Sequence, residues 1–203
     1  ILLFGRMAAS NVELNCDAAA QVAHCISTHA VSNEYDYFTA VDDCSADDNA
    51  GAGHLGTVEF NSSTLYRYST VNIAELMENG LSIDEVCDVL SGYLEAFIKA
   101  MPTGKQNTFA NRTLPCFTYV TIREDQPINM AGAFEKAVTG NGKGYEKDSI
   151  DAFLEYTKKV YENYAEYPKK SFVVCLDDVN TEAERVKMKD LAELVEKEIR
   201  NYN

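Results

Sequence analysis

Apolar side chains recur three or four residues apart in three long stretches of this chain, and each stretch predicts a helix lying on a core. In the first, Val86, Val89, Leu90, Tyr93, Leu94, Phe97 and Ile98 form the stripe. Ser82 followed by Glu85 is a capping box that sets the start, and Pro102 sets the end. The second runs from about Asp148 to Tyr164, with Ile150, Phe153, Leu154, Val160, Tyr161 and Tyr164 facing inward. The third opens at Thr181 with Glu184 in the box position and carries Met188, Leu191, Ala192, Val195 and Ile199 on one face.

Between them lie runs rich in β-branched and aromatic residues, 64-TLYRYSTV-71, 116-CFTYVTI-122 and 171-SFVVCL-176, bounded by turn formers and expected to be strands. The run 17-DAAAQVAHCISTHAV-31 reads both ways: its alanines favour helix, whereas Val22, His24, Ile26 and Thr28 alternate as a strand does. Strands interleaved with long helices make the chain α/β or α+β. Its 203 residues are expected to form one domain.

Composition narrows the function classes. The chain opens on Ile1-Leu2-Leu3-Phe4 without an initiator methionine and is expected to be a piece whose true start lies upstream. No apolar run reaches membrane-spanning length, so a soluble protein with no membrane partner is expected. The six cysteines stand far apart with no Cys-x-x-Cys pair, which favours reduced thiols in a cytoplasmic protein. A net charge of −14 argues against a nucleic-acid partner when taken alone. Its distribution matters more than its sum. From residue 96 to 123 the chain carries Lys99, Lys105, Arg112 and Arg123 and no acid. Residues 33–50 carry Glu34, Asp36, Asp42, Asp43, Asp47 and Asp48 and no base, the mark of a projecting loop.

The stretch 51-GAGHLG-56 fits the dinucleotide fingerprint letter for letter. A true fingerprint follows a strand and opens a helix, because the pyrophosphate sits on the helix N-terminal amides. Here an acidic loop precedes it and the β-like TVEF follows, so the glycines are read as a return from a loop into a strand. The loop also carries Tyr35, Tyr37, Phe38, Val41 and Leu55. Such side chains either tuck against the body of the domain or are offered to a ligand.

Taken in series, 5-GRMAAS-10, 21-QVAHCISTH-29, 34-EYDYFTAVDD-43, 54-HLGTVEFNSSTLYRY-68 and 128-INMAGAFEKAV-138 resemble the backbone subunit of the type I-E Cascade CRISPR surveillance complex, the CasC-type subunit of the Cas-seven family. The likeness covers most of positions 3 to 138 and fades through the C-terminal third. It implies an α+β fold: a modified RNA-recognition-motif palm, ferredoxin-like, over residues 1–203, with a thumb insertion at about 30–55. Family proteins are longer, and the resemblance places the absent part, the first palm strand and most of the fingers, on the N-terminal side. It also implies that residues 18 to 29 form a palm strand leading into the thumb.

The function implied is to polymerise along CRISPR RNA as a helical filament of copies of itself, together with other Cascade subunits. Each copy grips the RNA backbone while its thumb displaces one base at a regular interval, leaving the others to pair with target DNA. Carried over by position, Tyr37, Phe38 and Thr39 match the wedge, and Met7, His54 and Leu55 line the displaced base. Lys105 and Gln106 in 104-GKQNT-108 match a loop near the RNA backbone, and Lys136 lies in the matched 133-AFEKAV-138. An indole common at the Tyr37 position is a phenol here, which keeps a stacking face. The chemistry agrees on general grounds, since aromatic wedges stack bases without reading sequence and a lysine near phosphates positions without specificity.

No cofactor or metal is expected, and no enzyme. The enzymatic rival is a metal-dependent ribonuclease acting through the thumb aspartates Asp42 and Asp43. Against it, adjacent acids on a strand point to opposite faces, and His24 and His29, five apart, share neither a strand face nor a helix face. A third reading is an interaction module whose exposed sheet edge favours self-association.

Overall fold

The computed structural model describes residues 1–40 and 54–201. Asp42, Asp43, Val41 and the first three residues of the GAGHLG stretch lie outside the described residues.

Near the N-terminus, residues 17–31 resolve into two short strands, β1 (Ala20–Val22) and β2 (Ile26–Ser27). A hairpin follows, β3 (Glu34–Ala40) and β4 (His54–Phe60), so the acidic segment expected to be loop is strand as far as Ala40. The run 64–71 also divides, into β5 (Leu65–Tyr66) and β6 (Ser69–Val71). β1 pairs antiparallel with β6 and β2 with β5, so the ambiguous run is strand, interrupted once. Two helices follow, α1 (Ile73–Glu78) and α2 (Ile83–Lys99). Ser82 caps α2 as expected: its hydroxyl accepts from the Glu85 amide, and the Glu85 carboxylate accepts from the Ser82 amide at 2.8 Å.

The remaining elements are α3 (Gln106–Phe109), β7 (Phe117–Ile122), α4 (Glu146–Asn163), β8 (Lys170–Cys175), β9 (Glu184–Arg185) and α5 (Met188–Arg200). β8 lies between β7, antiparallel, and β9, parallel. Two expectations are corrected here. The third helix does not open at Thr181: the Thr181 hydroxyl accepts from the Ala183 amide, Glu184 pairs with Phe172, and α5 starts at Met188. Tyr164 does not face inward, for it caps the end of α4 and is 91% exposed.

β7 separates two apolar clusters. Val120 and Ile122 pack with α2 and α5 around Leu90, Phe172, Leu191 and Ile199. Phe117 and Tyr119, on the opposite face by strand alternation, pack with Met130 and with Phe153 and Tyr161 of α4. Between β6 and β7 lies a cavity of about 910 Å³. Every residue of β7 lines it, not alternate ones, so the cavity meets the strand along its edge. Among the described residues no strand pairs with that edge or with the second edge of β6. The architecture is therefore α+β built from small sheets.

Among the described residues no helix is long and apolar enough to cross a membrane. Cys16, Cys25, Cys87, Cys116 and Cys175 are free thiols, and burial pushes the Cys116 thiol up to about 11, with the Glu146 carboxylate adding to the shift.

Candidate nucleic-acid interface

The β3–β4 hairpin alternates acid and aromatic along 34-EYDYF-38, and that period of two decides which groups share a face. Its register sets Tyr37 opposite Thr57, Phe38 opposite Gly56, Thr39 opposite Leu55 and Ala40 opposite His54. Tyr35, Tyr37, Thr39 and Leu55 therefore lie on one face, and Phe38, His54 and Phe60 on the other. The expected wedge of Tyr37, Phe38 and Thr39 is thus two-sided. Tyr37 is 72% exposed and Phe38 42%. The aromatics do not tuck against the domain; they stand in solvent.

Gly56 explains why Phe38 is the less exposed. A Cβ at residue 56 would lie 2.5 Å from Phe38 Cζ, so the ring lies flat over the glycine, its centroid 5.7 Å from that of His54. This last glycine of the GAGHLG stretch seats a ring across a strand pair. Gly56→Ala is expected to swing the Phe38 ring away from His54 while leaving the hairpin paired, seen as loss of the ring-to-ring NMR cross-peaks with the cross-strand amide pattern unchanged.

The hairpin is rooted by buried polar groups. The Thr28 amide donates to the Thr64 carbonyl at 3.0 Å, and the Thr28 and Ser149 hydroxyls are bonded at 2.8 Å, joining the root to α4. His29 Nε2 accepts from the Thr64 amide at 3.1 Å and Nδ1 donates to the Ala30 carbonyl at 2.8 Å, which fixes the neutral tautomer with the proton on Nδ1. Its ring stacks on Tyr145 at 3.7 Å. His29 is therefore a fastener of the fold. Farther out, the Asn61 amide donates to Asn33 at 2.7 Å. Behind the root, the Tyr66 hydroxyl donates to Asn129 and accepts from the Met130 amide, and burial pushes its pKa up to about 12.

The other nominated residues divide. Lys105 comes to the hairpin through aromatic contacts, its Nζ 5.9 Å over the Phe109 ring and Phe109 meeting Phe60 edge-on at 5.5 Å, and Gln106 follows it as the first residue of α3. Lys136 is exposed on the stretch leading to Val138, whose amide donates to the Thr28 carbonyl at the root. Met7, 88% exposed, lies on the turn closed by the Arg6–Cys16 bridge. Sequence reasoning missed Phe60 and Phe109. Phe60 and Phe109 meet across a sequence separation that no local pattern reveals. Arg112 stood only in the basic window, and its Nη2 donates to Gln106 Oε1 at 2.8 Å. Among the described residues no group of His, Cys, Asp and Glu is placed to hold a metal ion.

Fold and site together define an α+β protein that presents a rooted, two-faced aromatic hairpin beside a basic loop. The model of the CT1975-like Cas family matches residues 1–197, and the chain belongs to that family. Among solved structures, a chain described as "CRISPR RNA-guided surveillance complex, pre-nicking" is 31% identical with a TM-score of 0.85, over 97% of this chain and 54% of that one. A chain described as "CRISPR RNA-guided surveillance complex" is 30% identical with a TM-score of 0.82, over 99% of this chain and 77% of that one. This chain therefore spans about half of the first and three quarters of the second. No curated protein matches it.

Proposed function

We propose that this protein is a CRISPR RNA-binding backbone subunit of a surveillance complex of the type I-E, CasC-like kind, serving antiviral defence. The observation that carries the reading is the hairpin: exposed rings on both faces of a strand pair whose root is fixed by buried hydrogen bonds. An aromatic group held rigidly in solvent can enter a base stack at little ordering cost. Tyr37 with Thr39 and Leu55 would meet bases on one side, and Phe38 with His54 those on the other. Lys105, Gln106 and Lys136 would hold the backbone, and Met7 would belong to the same RNA path. Sequence reading would then be left to base pairing between guide and target DNA.

The remaining parts of the reading follow from it. Copies of the chain would stack along the RNA as a helical filament with other complex subunits, in the cytoplasm and without catalysis. One domain, residues 1–203, would serve as an RNA-recognition-motif-like palm, and a strand occupying the cavity between β6 and β7 would join the two small sheets into one.

The test is a titration of the full chain against labelled single-stranded RNAs of unrelated sequence, with and without Mg²⁺. Intact RNA bound regardless of sequence, and more weakly as salt rises, is the expected result. Mg²⁺-dependent cutting abolished by Asp42→Asn or Asp43→Asn would replace this reading with the ribonuclease.

A further inference from the structure

The four bases of the acid-free window do not share one fate. Lys99 is tied to Glu95 at 2.6 Å, and Arg123 to Asp125 at 2.6 Å with its side chain only 7% exposed. Lys105 and Arg112, between them, form no ion pair among the described residues. Two left-handed residues, Lys105 at φ 55° and Ala110 at φ 48°, bracket α3, and Arg112 follows just beyond, its amide donating to the Ala110 carbonyl at 2.8 Å. The conformation of this loop is thus set by the chain and not by a carboxylate. In Arg112 one N–H is spent on the neutral Gln106 amide, and the planar cationic fork has no other side-chain partner among the described residues. Gln106 orients the fork without cancelling its charge.

The loop is also joined to the hairpin. Phe60 ends the face that carries Phe38, and its ring meets Phe109, the last residue of α3. Glu34 and Asp36 share that hairpin face. Their charge would keep phosphates off the strand surface, whereas the loop offers cations.

We propose that Arg112 is a phosphate-binding residue for single-stranded RNA, held in register by Gln106, so that loop and hairpin act as one clamp in which the cations take the backbone and the rings take the bases. This rests on the RNA-binding reading above and adds to it a residue that neither motif nor comparison nominates.

The test measures affinity of the full chain for a fluorescently labelled, unstructured single-stranded RNA across a series of salt concentrations, for the unaltered protein, Arg112→Ala, Arg112→Lys and the Tyr37→Ala/Phe38→Ala pair. Loss of one phosphate contact flattens the slope of log affinity against log salt by about 0.7 for a single strand. Arg112→Ala is expected to show that change with a several-fold loss of affinity, and Arg112→Lys to keep the slope while losing part of the affinity with the fork. Arg112→Ala with an unchanged slope, at any affinity, overturns the inference while the hairpin variant still tests the broader reading. Failure of the unaltered chain to bind RNA overturns both.

Discussion

Replacing Tyr37 and Phe38 together by alanine is expected to remove most of the affinity for single-stranded RNA and to leave the melting temperature unchanged. Each aromatic–base stack contributes about 1–3 kcal/mol, or about 5- to 150-fold in affinity. The two rings point to opposite faces of the hairpin, so they would meet different bases and their losses should add. Fluorescence anisotropy on the two single variants and the double decides this. A double variant no weaker than the worse single one would mean that one face alone touches RNA. Tyr37→Phe should bind as the unaltered chain does, because the phenyl keeps the stacking face. Stability should not follow, because rings 72% and 42% exposed bury too little apolar surface to matter to folding.

That the rings diverge was legible in 34-EYDYF-38, whose alternation is a strand signature, yet the acids made the segment look like a loop. Charge density described where the segment goes, out into solvent, and period described how it gets there. The capping box at Ser82 was read correctly because both partners lie within one turn and no competing element claims them. The same signature at Thr181 failed for the complementary reason. Glu184 lies where a strand can pair in parallel beside Phe172, and that tertiary pairing outweighs a local cap. The basic loop was visible as a charge window, but which of its cations remain unpaired depends on Glu95, just ahead of the window, and on Asp125, just beyond it. The motifs in series pointed to a CRISPR surveillance-complex protein, and the CT1975-like family model, matching residues 1–197, covers the C-terminal third where that likeness had faded.

The fold itself should fail at β8. Phe172 is 1% exposed at the junction of three elements: its strand pairs with Val120 of β7 and Glu184 of β9, and its ring packs in the cluster with Leu76, Val86 and Leu191. Phe172→Ala removes an aromatic side chain from a site whose neighbours are fixed by three helices and two strand pairings, so collapse around the void is restricted. A loss of about 3–5 kcal/mol is expected, lowering the melting temperature by about 6–20 °C for a chain of this size. Urea denaturation followed by circular dichroism measures it. A loss under about 1 kcal/mol would mean that the sheet relaxes into the space and that β8 is not the keystone the burial implies. The contrast with the hairpin is the useful part. Below its melting temperature, Phe172→Ala should bind RNA as the unaltered chain does, whereas Tyr37→Ala/Phe38→Ala should fold normally and bind poorly. Two variants with opposite profiles would separate the surface that grips RNA from the core that holds it in place.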